Sequence, residues 1–268
     1  MIISRMLCFV SLCFSSFAVQ AQETDNLSSL HRFNPDATLP VISSMNIRQV
    51  YAGNNVLAKS IALAQSGGKL QYISGGNRSS EVKIEFQQPY KESELIESLE
   101  LHFDKKYGFI NQVTLTYKIA SRYLDILPVY DKTLQQAVSK YGEPLSFKTV
   151  QDIVKTSSSK PKFADFRANL TVKPELKDEI AQYLNYKQVT SKTHFIESEN
   201  GRALLLTGFK QCYFWPKQEF AEILTLCAFQ PSSGNMKGQG VTLSLVDFRV
   251  KQAIEHYQSE EAEININL

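Results

Sequence analysis

The sequence predicts an α+β fold: antiparallel sheets, each wet on one face and covered on the other by one or two helices. Three observations carry this. Segments in which apolar and polar residues alternate follow one another at 82–86, 99–103 and 113–119. A single helical stripe comes directly after them, at 130–141. Strand-like segments and single helices then recur in the second half, which suggests a duplicated layout.

The chain opens on an export signal. Arg5 is the only charge before Glu23, and the apolar stretch Met6 to Val19 follows it, ending at Val19-Gln20-Ala21. A short positive region, an apolar core and small residues before the cut are what a signal peptidase reads, so cleavage is expected after Ala21. The stretch is shorter than the roughly 20 apolar residues needed to span a bilayer. With no second such run downstream, the chain is expected to have no transmembrane segment after cleavage, and to be periplasmic or secreted. Lipidation at Cys8 or Cys13 is disfavoured, because each follows a leucine where a small residue is wanted.

Of 268 residues, 29 are basic and 27 acidic, and Arg5 leaves with the signal. A mature chain this close to neutrality has no bulk attraction for nucleic acid or an anionic membrane, so no nucleic-acid partner is expected. Its length allows a proper core. Two of the four cysteines also leave, so Cys212 and Cys227 remain, and in an oxidising compartment they predict a disulfide. No cofactor and no metal is expected, since His31, His102, His194 and His256 are scattered.

Along the mature chain, residues 22–45 are polar and without period, and read as a flexible leader. An N-terminal α+β half is placed at 46–154. It begins with a short strand, Ile47 to Tyr51, and a helix that Asn54 or Asn55 caps, with Val56, Leu57, Ile61 and Ala64 near one face and Gly67-Gly68 after it. The alternating strands follow, with Asp104 to Phe109 as a hairpin loop. The helix Val129 to Tyr141 then places Tyr130, Leu134, Ala137, Val138 and Tyr141 on one stripe, and Gly142 and Pro144 stop it.

A serine-rich loop, Lys155 to Lys162, marks the boundary to a C-terminal half at 163–258, with an acidic tail at 259–268. Strands are expected at 145–154, 163–172, 189–196, 203–214, 223–229 and 241–246. Helices are expected from Pro174 to Tyr186 and around Val250, Ala253, Ile254 and Tyr257. With its helix ending in Lys140-Tyr141-Gly142-Glu143-Pro144, the chain resembles small periplasmic assembly and inhibitor modules in layout alone, and no functional residue is carried over.

Chemistry is sparse, and no catalytic residue is assigned. There is no Gly-x-Ser-x-Gly turn, and the glycine-rich pieces lack a phosphate-cradling order. Glu92, Glu94, Glu97 and Glu100 could pair two carboxylates for hydrolysis, but they read as a charged turn leading into a sheet whose wet face carries Glu100. His194 and Glu197 lie three apart, which on a strand points them to opposite faces. The basic residues between Lys148 and Lys177, with Arg167 and Lys173 among them, read as a solvated loop and strand edge. Three Asn-x-Ser/Thr sequons, at Asn26, Asn77 and Asn169, occur about as often as chance allows.

The most specific expectation is a stapled hairpin. If Trp215 faces Leu224, antiparallel register also places Cys212 opposite Cys227, with Pro216 to Ile223 as the loop. Tyr213, Phe214 and Trp215 are consecutive, so on a one-sided sheet at least one large aromatic would be left outside the core, as a candidate partner contact. The alternative is that Trp215 packs against the disulfide beneath a helix. The absence of a recognisable motif, the disulfide and the aromatics point to a non-enzymatic protein-binding module acting on another extracytoplasmic protein, such as an inhibitor, immunity factor or envelope-assembly accessory. A carrier of a small apolar ligand and a hydrolase with a dispersed site are the alternatives.

Overall fold

The computed structural model describes residues 29–66, 69–74, 81–90, 95–119, 127–146, 150, 152, 163–187, 194–198, 201–205, 210–229 and 240–266. The expected signal with Cys8 and Cys13, Gly67-Gly68, Glu92, Glu94 and the expected loop 155–162 lie outside these residues. In chain order the elements are α1 (Val56–Gln65), β1 (Lys69–Ser74), β2 (Glu81–Tyr90), β3 (Leu95–Asp104), β4 (Ile110–Ile119) and α2 (Leu127–Tyr141). Next come β5 (Leu145–Ser146), α3 (Phe163–Asn169), α4 (Pro174–Lys187), β6 (His194–Ser198) and β7 (Gly201–Leu205). The chain closes with β8 (Lys210–Lys217), β9 (Glu222–Phe229), β10 (Gly240–Asp247) and α5 (Phe248–Ile266).

Eight strands form one antiparallel sheet in the order β1-β2-β3-β4-β10-β9-β8-β5, and β6 and β7 pair separately as a hairpin. The fold is thus α+β with an antiparallel sheet. A duplicated layout is not seen, because both halves feed a single sheet through the β4–β10 pairing.

Period two decides what each face of that sheet meets. On the first face lie Leu99, Leu101 and Phe103 of β3, Val113 and Leu115 of β4, Leu245 of β10, Leu224 and Leu226 of β9 and Trp215 of β8. They are covered by Tyr130 and Ala137 of α2, Val56 and Leu57 of α1, and the chain before α1. On the second face, Cys212, Phe214, Ile223 and Cys227 pack against Phe166 of α3 and Leu176, Ile180 and Leu184 of α4. Toward β3 and β4 this second face becomes polar and half-exposed, with Glu100, His102, Gln112 and Thr114. The one-sided pattern therefore holds over β3 and β4, while β8 and β9 are covered on both faces.

Local chemistry sets the element ends. Asn55 caps α1, its side-chain oxygen accepting from Leu57 N at 2.9 Å. Gly142 stops α2 at φ +88°, in the left-handed region that glycine enters without penalty, and its N–H bonds Val138 O at 2.9 Å.

Several expectations change. The described part of the leader is packed, with Leu30, Phe33, Leu39 and Met45 all buried. Its apolar residues dock one at a time on an irregular path, so no period announces them. Phe33 meets Phe103 edge-on with centroids 5.7 Å apart, and Gly53 passes so close that a Cβ there would sit 2.4 Å from Val41 O. Ile47 to Tyr51 is no strand. Ile47 and Val50 exchange both backbone bonds around Arg48 and Gln49 at φ 51° and 62°, a two-residue turn of the hairpin type. Residues 163–169 form a helix where a strand was expected; Asp165 and Arg167 stand in its first and last turns, and only Phe166 of its side chains is buried. Of the described residues in the expected strand 145–154, Leu145–Ser146 pair with β8 while Val150 and Asp152 are helical, and α5 runs on through most of the acidic tail.

Candidate functional site

The β8–β9 hairpin is the best-anchored feature of the second half. Its register places Trp215 opposite Leu224 and Cys212 opposite Cys227, and the two cysteines form a disulfide with Cα atoms 4.2 Å apart. Antiparallel register sets the two cysteines directly opposite each other, which brings their sulfurs within bonding reach. Pairing continues to Lys217 and Glu222, which shortens the loop to Gln218–Ala221. Gln218, Glu219 and Phe220 all have positive φ, at 48°, 56° and 72°. Side chains with a Cβ rarely enter that region, and three in succession persist only where the surroundings hold them.

The surroundings here are a buried ionic cluster. Glu222 at the start of β9 and Asp247 at the end of β10 are cross-strand partners, and neither is exposed to solvent. Asp247 caps α5, accepting from Arg249 N at 3.0 Å, and takes the Arg249 guanidinium at 2.9 and 2.6 Å. The bonds to Asp247 raise the Arg249 pKa against the opposing effect of burial, so the guanidinium stays charged. Arg249 Nη1 also donates to Gln218 Oε1 in the loop, and Phe248 N donates to Ala221 O at 2.9 Å. Glu222 accepts from Met45 N and the Ser44 hydroxyl, both at 2.7 Å, and Asp247 accepts from the Ser43 hydroxyl at 3.1 Å. Isolated carboxylates would be expensive in such a place; a guanidinium and four hydrogen bonds from neighbouring groups offset their desolvation. The cluster welds segment 43–45, the hairpin loop and the start of α5 together.

Beside this weld lies an open groove of about 810 Å³. Val41, Val172, Leu176, Ala221, Ala253 and Tyr257 supply apolar lining, and Lys173, Gln218, Glu219, Gln252, Arg249 and His256 supply polar groups. The volume falls within the range of ligand sites, and the lining pairs apolar surface with a few polar groups.

The predicted contact residues fall elsewhere. Phe214 is 1% exposed and Trp215 2% exposed, each in a different core, and Tyr213 is half-buried and stacked on Tyr130. The expectation of an aromatic left outside is corrected by the second cover: α3 and α4 bury Phe214 on the face assumed to be wet. Trp215 lies beneath the end of α2, donating from Nε1 to Gly142 O at 2.7 Å, on the face opposite the disulfide.

The acidic run is dispersed as well. Glu97 points into the first core, 3% exposed, and pairs with Arg48 at 2.7 Å, while Glu100 lies on the polar face 3.6 Å from His102. His194 and Glu197 sit on β6, opposite Leu205 and Arg202. Arg167 pairs with Asp178, and the side-chain nitrogen of Asn169 bonds Asp165 O at 2.8 Å. Among the described residues no three His, Cys, Asp or Glu side chains come together as metal ligands. The residues that sequence reasoning missed are Ser43, Ser44, Glu222, Asp247 and Arg249. Asp247 left a trace, an aspartate directly before a helical stripe; the partners of Glu222 lie 177 and 178 positions away and left none.

No family model, curated protein or solved structure matches the chain. Fold and site together define a disulfide-stapled α+β module with a groove at the tip of its stapled hairpin.

Proposed function

We propose that this chain is an exported, non-enzymatic protein-binding module, of the inhibitor, immunity or envelope-assembly kind, and that it receives its partner in the groove at the hairpin tip. The observation that carries this reading is the immobilisation of that tip. Gln218, Glu219 and Ala221 line the groove, and their loop is held by the ionic cluster and by the disulfide behind it. A surface fixed before docking loses little entropy on binding. Export is supported by the disulfide.

The size of the groove favours a second reading, a carrier of a small apolar ligand. One experiment separates the two. Protein recovered from an extracytoplasmic fraction is compared with Ala253→Arg, which fills the groove from a half-buried position. The expected result is a stoichiometric partner protein retained by the native chain and lost by the variant at unchanged Tm. Retention by both moves the binding surface elsewhere, and a co-purified lipid in place of a protein establishes the carrier. Intact mass of the same material is expected to begin at Gln22; a chain beginning at Met1 would overturn export.

A further inference from the structure

The polar part of the second sheet face is itself roofed on one side. Two adjoining hollows, of about 280 and 350 Å³, lie between the C-terminal turns of α4 and strands β3, β4 and β10. Gln112 and Tyr186 line both, and no lining residue is shared with the hairpin-tip groove. From this cleft we propose a binding site for a short neutral oligosaccharide.

The floor selects for hydroxyl groups. Thr114 Oγ1 and Ser244 Oγ are 2.8 Å apart, and Gln112 Nε2 donates to Thr114 Oγ1 at 3.0 Å. Hydroxyls and amides both donate and accept, as vicinal diols do, so a sugar can replace cleft water bond for bond. The wall supplies the other half of sugar recognition. Tyr186 is 70% exposed, the most exposed large apolar side chain described, and it borders both hollows. An aromatic ring offers an apolar platform for the C–H face of a pyranose while its hydroxyl stays wet.

Charge points the same way. Lys251 is paired with Glu179 at 3.3 Å, Asp247 is met by Arg249, Glu100 lies 3.6 Å from His102, and the Lys187 ammonium sits over the rings of Tyr183 and Tyr186, so acidic and basic groups are matched in number. A cleft without net charge holds no preference for phosphate or carboxylate. The polar floor disfavours a lipid chain. An extended peptide would need a free strand edge for its main-chain bonds, and here β10 is paired on both sides.

The test uses the full mature, oxidised chain on an array of neutral hexose and N-acetylhexosamine oligomers, with Tyr186→Ala and Thr114→Val alongside. The expected result is retention of at least one neutral oligomer, weakened about tenfold or more by Tyr186→Ala and measurably by Thr114→Val, with Tm of the exposed Tyr186 variant unchanged. Retention of no neutral oligomer by the native chain would overturn the site. So would retention that Tyr186→Ala leaves within twofold, or retention of charged glycans alone. Ala253→Arg is expected to bind the oligomer normally, so a failure here and a failure of the hairpin-tip groove are read separately.

Discussion

Two stretches of the same sheet obey different rules. On β3 and β4, buried Leu101, Phe103, Val113 and Leu115 alternate with half-exposed Glu100, His102, Gln112 and Thr114. On β9 every residue from Glu222 to Ala228 is buried. The backbone geometry is the same, so the difference lies in what covers the second face. Alternation is the signature of one cover, and the nearly unbroken run Ile223-Leu224-Thr225-Leu226-Cys227-Ala228 is the signature of two. Even the hydroxyl in that run is answered, since Thr225 Oγ1 lies 2.8 Å from the hydroxyl of half-buried Tyr183.

The sharpest way to break the comparison is to truncate the two faces separately. On the doubly covered hairpin both faces should matter, so Phe214→Ala and Trp215→Ala are each expected to destabilise by about 3–5 kcal/mol in denaturant titrations. On the singly covered strands only one should: Leu101→Ala is expected to cost about 2–5 kcal/mol, and its neighbour His102→Ala about 0.5 kcal/mol or less. A small effect at Phe214, or a large one at His102, would erase the distinction.

The disulfide comes next in size. It closes a 15-residue separation, which in the chain-entropy picture is worth about 3 kcal/mol. The double variant Cys212→Ala, Cys227→Ala should lose about that much, without further loss on adding reductant. A reductant effect on the native chain far below this value would mean that two-sided packing alone holds the hairpin.

The smallest expected effect is a pH slope at the hairpin end of β3. Burial raises the pKa of Asp104 above its ordinary 3.8, only partly offset by the backbone N–H groups of Tyr107, Phe109 and Lys106, at 2.7, 2.7 and 3.0 Å. A carboxyl raised on folding binds more protons in the native than in the unfolded chain. Its contribution is therefore full below the unfolded pKa and is lost as pH rises through the folded one. Stability measured from pH 3 to 7 should show the native chain losing ground relative to Asp104→Asn as pH rises. A gap that is constant with pH would show that Asp104 does not titrate on folding.

These particulars also show what was legible in the sequence. The alternating strands, the capped helix α1, the stripe of α2 and the cysteine register were all written in spacing, and each needs only neighbours within about 20 residues. The helix α3 was misread because seven residues with a single buried side chain offer no stripe. The packed leader and the ionic cluster were invisible because the partners of Ser43 and Met45 lie about 200 positions downstream. The expected exposed aromatic failed for the same reason in reverse: Trp215 lies under α2 on the first face, and the second face, where Phe214 points, is covered by α3 and α4, which no local pattern assigns to it.

The position of β10 has a kinetic consequence. It sits between β4 and β9, so a chain delivered N-terminus first holds both of those strands with one unpaired edge until Gly240–Asp247 arrive. Segment 43–45, among the first to emerge, must also wait for Glu222 and Asp247 before its hydroxyls and amide find acceptors. Closure of such distant contacts is slow, and open edges invite pairing with other chains in the interval. Folding of the sheet is therefore governed by the arrival of β10, and a chain cut short before it should depend on chaperones or aggregate, however complete its first four strands.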